Sequence, residues 1–220
     1  MSLFVTIEGI EGAGKSTLID GISKQLTQQG LPITTTREPG GTPLGKTLRS
    51  LLLSLSELRI DPLAELLLFS ADRAQHLSEL IRPALEAGHI VLCDRFVDST
   101  IAYQGYGRGL DLKLLQKVGE IATQGLAPDL TFLLDLPPDT GLTRTKTRQP
   151  DKALGTPASN ADRFETEAVD FHRRIRAGFL ELAKAHPQRI VTLDGTRSPA
   201  TLVSQAVAEI EARRLASKGQ

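Results

Sequence analysis

The chain has 220 residues, of which 40% are hydrophobic and 24% are charged, a mix that is typical of a globular domain with a sizeable core. Lys and Arg together number 26, as do Asp and Glu, and this balance argues against nucleic acid or an anionic membrane surface as a partner. The single cysteine excludes an intramolecular disulfide, and no segment has the length of a membrane span or the pattern of a signal peptide, so we expect a cytoplasmic protein.

Short apolar runs alternate along the chain with longer segments of helical periodicity. The runs are LFVTIE, PITTTRE, HIVLCD, LTFLLDL and RIVTLD. Apolar residues recur at helical spacing in three further segments: Leu18, Ile22 and Leu26; Phe164, Ala168, Phe171, Ile175, Phe179 and Leu182; and Leu202, Ala206 and Ile210. This alternation predicts an α/β fold, a parallel sheet of about five strands with helices on both faces. We expect one domain over residues 1–220.

A glycine-rich loop, EGIEGAGKST, follows the first apolar run. Gly9, Gly14, Lys15 and Ser16 complete the pattern G-x-x-x-x-G-K-S/T between a predicted strand and a predicted helix, which is the context that a P-loop NTPase fold requires. Backbone N–H groups and the helix N-terminus would hold phosphate, and Lys15 would reach the β- and γ-phosphates while Ser16 ligates Mg²⁺. The predicted ATP-binding residues are Gly9, Ile10, Glu11, Gly12, Ala13, Gly14, Lys15, Ser16 and Thr17.

The third apolar run ends in Asp94, and Arg95 follows it. An aspartate at the tip of a buried strand beside a phosphate-binding loop is suited to support a metal, so Asp94 joins Ser16 as a predicted Mg²⁺ ligand. Because the next residue is Arg95 and not a glutamate, an obvious water-activating carboxylate is missing, which disfavours a motor ATPase. A GTP switch is disfavoured because the sole asparagine, Asn160, is followed by Ala161 and begins no Asn-Lys-x-Asp motif.

Three arginines lie at or near strand ends, or on a helix that could face the same crevice. Arg37 falls at the end of the second apolar run, Arg73 lies in LLLFSADRAQH and Arg95 follows Asp94. Several guanidinium groups that converge on one crevice suit a second phosphate group. The arginines therefore indicate a phosphotransferase whose acceptor itself carries a phosphate.

The chain resembles the bacterial thymidylate kinases along nearly its whole length. The matching stretches, in family order, are IEGIEGAGKST, TREPGGT, LLLFSADRAQH, DRFVDSTIAYQG, LAPDLTFLLDL and DRFE. The resemblance implies that a homodimer, with Mg²⁺, transfers the γ-phosphoryl group of ATP to dTMP and yields ADP and dTDP, a step in dTTP biosynthesis.

The resemblance also assigns roles around the acceptor phosphate and sugar. Arg37 and Arg95 would hold the phosphate of dTMP. Glu11 would approach the sugar 3′-hydroxyl, and Tyr103 would lie under the deoxyribose, where its ring would exclude a ribose 2′-hydroxyl.

Four further residues would form the base site by the same resemblance. Phe69 would stack on thymine, although a phenylalanine after three leucines also suits the hydrophobic core. Arg73 would hydrogen-bond the edge of the base, and Thr100 and Gln104 would line its pocket.

A polar stretch, RQPDKALGTPASNAD, runs from residue 148 to residue 162 and reads as a mobile loop or lid, which we place at about 142–161. One kind of thymidylate kinase carries a catalytic arginine in the phosphate-binding loop, where this chain has Gly12. The chain resembles the other kind, with basic lid residues, and the predicted catalytic set is Lys15, Arg95, Arg144 and Arg148.

Two other readings stay open from the sequence. A kinase for another nucleoside monophosphate or for a deoxynucleoside would use the same loop and a related acceptor site. More distantly, a P-loop regulatory ATPase would release phosphate without an acceptor.

Overall fold

The computed structural model describes residues 2–54, 59–147 and 163–216. Within these ranges the chain forms one sheet of five strands in the order β2-β3-β1-β4-β5, and all neighbouring strands are parallel. The strands are β1 (Leu3–Glu8), β2 (Ile33–Arg37), β3 (Ile90–Asp94), β4 (Leu130–Asp135) and β5 (Ile190–Asp194). The five predicted strands and the parallel α/β architecture are confirmed.

Helices connect the strands and pack against the sheet. In chain order they are α1 (Lys15–Gln28), α2 (Pro43–Leu53), α3 (Pro62–His76), α4 (Arg82–Glu86), α5 (Val97–Thr100), α6 (Leu112–Thr123), α7 (Pro138–Lys146), α8 (Val169–Ala185) and α9 (Pro199–Ala216). Two π-helical segments, Leu77–Ile81 and Ile101–Gly107, extend α3 and α5, and a 3₁₀ turn covers Arg163–Thr166.

The central strand, β1, pairs with β3 on one side and with β4 on the other. All six residues of β1 are buried, because helices cover both faces of a parallel sheet and its strands therefore read as continuous apolar runs. The main core joins β1 and β4 to the apolar faces of α1, α8 and α9. The chain reverses its direction of winding at β1, and ligands of such sheets bind beyond the carboxyl ends of the strands at this point.

Side chains cap the starts of α2, α3 and α6. The side chain of Thr42 accepts from the N–H of Gly45 at the start of α2, and Asp61 and Asp111 cap α3 and α6 in the same way. At α1 the N-cap is Gly14, with φ 98°, and no side chain of the described residues caps the helix. The first N–H groups of α1 are therefore left for another acceptor.

The predicted apolar stripe from Phe164 to Leu182 is interrupted in the structure. Phe164 lies in the 3₁₀ turn, Ala168 has an extended backbone, and α8 begins only at Val169. Phe164, Phe171, Ile175 and Phe179 are nonetheless buried in the main core, as expected of a stripe that serves packing. No helix of the described residues is long and apolar enough to span a membrane.

Candidate active site

The loop between β1 and α1 has a backbone that only glycine adopts without strain. Gly9, Gly12 and Gly14 have φ of 141°, 72° and 98°, in the left-handed region that other residues rarely occupy. A Cβ at Gly12 would lie 2.1 Å from the carbonyl oxygen of Gly141 on α7. An arginine at position 12 is thus excluded by this packing, which accounts for the glycine noted in the sequence.

Lys15 folds back over this loop as the first residue of α1. Its Nζ donates to the carbonyl oxygens of Gly9 and Ile10, at 3.1 and 3.0 Å, and the residue is buried. Burial lowers the pKa of Lys15 to about 8, and the positive charge of Arg95 adds to this effect. A bound phosphate would favour the charged form of the amine, since an opposite charge raises the pKa of a lysine.

Ser16 and Asp94 meet at the carboxyl end of the sheet, as the sequence predicts. The Ser16 hydroxyl donates to Asp94 Oδ2 at 3.3 Å. The other carboxylate oxygen, Asp94 Oδ1, is buried and has no hydrogen-bond partner among the described residues. A hydroxyl beside a carboxylate oxygen with a spare lone pair is a donor set that fits Mg²⁺.

Arg37 and Arg95 lie at the ends of neighbouring strands. Arg37 ends β2 in register with Asp94 of β3, and Arg95 follows Asp94 with φ 72°. A positive φ is uncommon for a residue other than glycine and is found where the surroundings hold a side chain in place. Arg37 and Arg95, two of the three arginines that were predicted to share one crevice, thus lie next to Asp94.

A cavity of about 680 Å³ lies over the loop and the start of α1. Residues 11–17 of the loop and helix line it, together with Arg37, Asp94, Arg95 and Arg144. The guanidinium group of Arg144, on α7, donates to the carbonyl oxygen of Gly195 at 3.2 Å. Of the two predicted lid arginines, Arg144 therefore lines the large cavity, and Arg148 lies outside the described residues.

A second, smaller cavity of about 70 Å³ adjoins the first. Seven of the eight predicted acceptor-site residues line it: Glu11, Phe69, Arg73, Arg95, Thr100, Tyr103 and Gln104. The eighth, Arg37, lines the large cavity. Glu11 and Arg95 line both cavities, so the two spaces meet at this carboxylate–guanidinium pair.

Glu11 is buried at that junction, where one of its carboxylate oxygens accepts two hydrogen bonds. Its Oε1 accepts from Arg95 Nη2 at 2.9 Å and from the Tyr103 hydroxyl at 2.5 Å, and its Oε2 lies 3.2 Å from His172 Nδ1. Burial alone would raise the pKa of Glu11, but contact with His172 and the charges of Arg95 and Lys15 outweigh it and lower the pKa to about 2. Glu11 is therefore ionised at neutral pH.

Arg73 is held by groups that the sequence analysis did not single out. Its Nε donates to Glu38 Oε2 at 2.8 Å and its Nη2 donates to the carbonyl oxygen of Phe96 at 3.1 Å. Glu38 Oε1 in turn lies 3.0 Å from His76 Nδ1. The remaining nitrogen, Arg73 Nη1, is buried without a partner among the described residues.

Sequence reasoning missed several residues of the site. Glu38 and Arg49 line both cavities, and His172 contacts Glu11 from α8. Glu38 lies within the TREPGGT stretch and could have been found there. His172 follows Phe171 at a buried helix position, and a polar residue at such a position was the available signal.

The comparisons with known proteins agree with this geometry. A family model described as thymidylate kinase matches residues 7–207. The thymidylate kinase of Desulfovibrio desulfuricans is 52% identical over 96% of this chain and 95% of its own, and that of Solidesulfovibrio magneticus is 52% identical over 93% and 96%. The crystal structure of thymidylate kinase from Ehrlichia chaffeensis superposes with a TM-score of 0.73 at 32% identity, covering 95% of this chain and 98% of that one. The chain belongs to the thymidylate kinase family.

Proposed function

We propose that the two adjoining cavities are the donor and acceptor sites of a dTMP kinase, which transfers the γ-phosphoryl group of ATP to dTMP and yields ADP and dTDP. The observation that carries this proposal is the junction at Glu11 and Arg95, which line both the cavity over the phosphate-binding loop and the smaller aromatic cavity. A donor and an acceptor bound on either side would bring two phosphate groups together there. Enforced proximity of this kind supplies much of the rate of phosphoryl transfer.

The donor phosphates would occupy the loop. The N–H groups at the start of α1 lack a side-chain cap among the described residues, so they are available to a phosphate. Lys15 Nζ would exchange its two carbonyl partners for phosphate oxygens, because a charge-assisted hydrogen bond is stronger than one to a neutral carbonyl.

Mg²⁺ would be held by Ser16 and by Asp94, whose Oδ1 has no partner in the described part of the chain. When bound, the ion would neutralise charge on the β- and γ-phosphates. The protein would orient the two oxygen ligands. The hydrogen bond between the Ser16 hydroxyl and Asp94 already holds them side by side.

The acceptor would lie in the smaller cavity with its phosphate toward Arg37 and Arg95. Phe69 and the other lining residues would hold the base and sugar. The phosphate monoester of dTMP is largely dianionic near neutral pH, since its second pKa is about 6. The acceptor oxygen is therefore already a nucleophile, and the residues need only align it and neutralise charge.

Two lid arginines are the remaining part of the proposed catalytic set. Arg144 lines the large cavity from α7, and Arg148 lies four residues further along the chain. A cation from this segment would stabilise charge that develops on the transferring group, which the glycine at position 12 cannot do.

We also propose a homodimer with a cytoplasmic location. Three helices that pack in the order α2, α3 and α6 expose apolar side chains at helical spacing: Leu44, Leu51, Leu63, Leu67, Leu114 and Ile121. An apolar surface of this kind is typical of an interface between subunits. The cytoplasmic location is supported by the one free cysteine, which is buried.

A coupled assay of ADP formation tests the function. We expect ADP to form with ATP and dTMP together, slowly with dUMP, and at background level with UMP, with thymidine or with ATP alone. Lys15→Ala should lower kcat by at least about a hundredfold, and Lys24→Ala, an exposed lysine on the same helix, should leave it unchanged. Faster turnover of another monophosphate or of thymidine would favour a different nucleotide kinase, and phosphate release with ATP alone would favour a regulatory ATPase.

A further inference from the structure

The side-chain amide of Gln104 has a fixed orientation in the acceptor cavity. Its Nε2 donates to Glu65 Oε1 at 2.8 Å, and both residues are almost completely buried. A carboxylate accepts hydrogen bonds only, so the amide must present its nitrogen to Glu65. The carbonyl oxygen, Gln104 Oε1, is then directed away from Glu65.

Two guanidinium groups hold Glu65 as an acceptor. Arg163 Nη2 donates to Glu65 Oε2, and Arg108 Nε lies 3.6 Å from Glu65 Oε1. Both guanidinium groups also lie over the ring of Phe164, at 5.1 and 5.5 Å from its centroid. These two guanidinium contacts fix the position of the Glu65 carboxylate, so that Oε1 stays within reach of the Gln104 amide.

Gln104 and Arg73 line the same small cavity with opposite hydrogen-bonding character. Arg73 offers a donor, Nη1, which has no partner among the described residues. For Gln104 Oε1, the described residues likewise supply no hydrogen-bond donor. Among the described residues, the cavity is therefore lined by a free donor from Arg73 and a free acceptor from Gln104.

We infer that Glu65 is a positioning residue for base selectivity, and that it acts by holding the Gln104 carbonyl oxygen toward the bound base. The inference rests on the proposed function. A thymine or uracil edge carries an N–H beside a carbonyl oxygen and complements a free acceptor and a free donor. A cytosine edge carries a bare ring nitrogen beside an amino group, so it would place acceptor against acceptor and donor against donor. An unpaired buried polar group is costly, and the site rejects cytosine on that ground.

The test compares dTMP with dCMP in variants at Glu65. Glu65→Gln keeps the size of the side chain but can donate to Gln104 Oε1, so the amide of Gln104 is free to turn its nitrogen toward the base. The matched control is Glu167→Gln, since Glu167 pairs with Arg108 Nη1 at 2.6 Å and is not a partner of Gln104. For each variant we would measure kcat and KM for dTMP, the inhibition constant of dCMP against dTMP, and the melting temperature.

We expect Glu65→Gln to lower the preference for dTMP over dCMP at least about tenfold, mainly through KM for dTMP, and Glu167→Gln to leave it within about twofold. A folded Glu65→Gln variant with an unchanged preference overturns the inference. If that variant fails to fold, the double variant Glu65→Gln with Arg163→Leu replaces it, because it removes the carboxylate together with a cationic partner. We expect the double variant to lose the preference for dTMP over dCMP to the same extent. Failure of both to fold assigns Glu65 a purely structural role and also overturns it. Absence of wild-type activity on dTMP would instead refute the proposed function.

Discussion

Glu8 is a single buried carboxyl group that links the end of β1 to the segment that follows Arg95. It ends β1, and its carboxyl oxygens accept from the backbone N–H of Phe96 at 2.8 Å and from the Ser99 hydroxyl at 2.6 Å. Ser99 Oγ in turn accepts from Arg95 Nη1 at 3.2 Å. Burial raises the pKa of Glu8 to about 7, and the nearby charge of Asp98 adds to the shift.

The raised pKa of Glu8 predicts a pH-dependent stability. In the unfolded chain the pKa is near its ordinary value of about 4.3, so the folded state binds the proton more tightly. The contribution of Glu8 is complete below pH 4 and is lost as the pH rises through about 7. Glu8→Gln mimics the protonated group, so the wild type should lose stability relative to this variant as the pH rises. Between pH 5 and pH 8 the difference in their free energies of unfolding should change by about 2 to 3 kcal/mol in favour of the variant.

Urea unfolding of both proteins at the two pH values measures this difference. Asp20→Asn, on the exposed side of α1, is the control and should follow the wild type. A difference between Glu8→Gln and wild type that is the same at pH 5 and pH 8 would contradict the shifted pKa.

Tyr103 is the residue proposed to select the sugar of the acceptor. Its ring is buried against the guanidinium group of Arg95, with 4.8 Å between Arg95 Cζ and the ring centroid. If the ring excludes a ribose 2′-hydroxyl by its volume, Tyr103→Phe should keep the preference for dUMP over UMP and Tyr103→Ala should relax it about tenfold or more. The measurement is the ratio of kcat/KM for dUMP to kcat/KM for UMP in the wild type and in both variants. An alanine variant that rejects UMP as strongly as the wild type would show that the exclusion lies elsewhere.

Most site residues that belong to motifs could be predicted from the sequence, with Glu38 as an exception, whereas residues that act through distant contacts could not. Lys15, Ser16 and Asp94 could be identified because a loop pattern and a strand end dictate their chemistry. Glu65 and His172 stand alone on helices, and their partners, Gln104 and Glu11, are far away in the sequence. Such a contact exists only once the helices have packed, so no local pattern indicates it.

At the scale of elements, the strands were predictable and one helix boundary was not. A strand that is buried on both faces is a nearly continuous apolar run, and such a run can be recognised in the sequence. The helical spacing of Phe164 and Phe171 was misleading. Their rings stack with centroids 6.2 Å apart although Phe164 lies outside α8. Burial can thus preserve an apolar spacing across a break in the helix, and periodicity alone cannot locate that break.

The contact between the phosphate-binding loop and α7 predicts that the two elements move together. A Cβ added at Gly141 would lie 2.4 Å from the carbonyl oxygen of Glu11, and because this atom belongs to the backbone, the loop itself would have to shift. We expect Gly141→Ala to lower kcat/KM for ATP at least about tenfold. Thr143→Ala, at an exposed position of the same helix, should have little effect. Wild-type kinetics for Gly141→Ala would show that the loop tolerates the displacement.

The basic residues at the end of α7 and beyond it yield a prediction about catalysis. A cation that engages mainly in the transition state should affect kcat more than either KM. We expect Arg144→Ala or Arg148→Ala to lower kcat by at least about a hundredfold, with partial compensation by the neighbouring arginine. Steady-state kinetics of both single variants and of the double variant test this. Should all three keep kcat within about threefold of the wild type, the segment supplies no catalytic charge.

For the molecule as a whole, the site draws on most of the sheet. β1 leads into the phosphate-binding loop, β2 and β3 supply Arg37 and Asp94, and Gly195 after β5 contacts Arg144. The position of the site could be predicted, because ligands of parallel sheets bind beyond the carboxyl ends of the strands. The strand order could not be read from the sequence, since each helical crossover is compatible with several neighbours for the next strand.

The exposed apolar surface of α2, α3 and α6 provides a test of the proposed dimer. Leu67 on α3 is 52% exposed and Ile121 on α6 is 77% exposed, so a charge at either position is tolerated in a free subunit. In an interface the same charge would be buried without a partner, which is strongly unfavourable. We expect Leu67→Glu and Ile121→Glu to shift the protein from dimer to monomer in sedimentation velocity experiments over a range of concentrations.

The matched control is Leu215→Glu, because Leu215 is 70% exposed but lies on α9, away from these three helices. It should sediment as the wild type does. The acceptor-site residues Phe69 and Arg73 also belong to α3, so loss of the dimer should raise KM for dTMP more than KM for ATP if the interface steadies that helix. A wild type that sediments as a monomer, or dimers that persist in both α3 and α6 variants, would refute an interface on this surface.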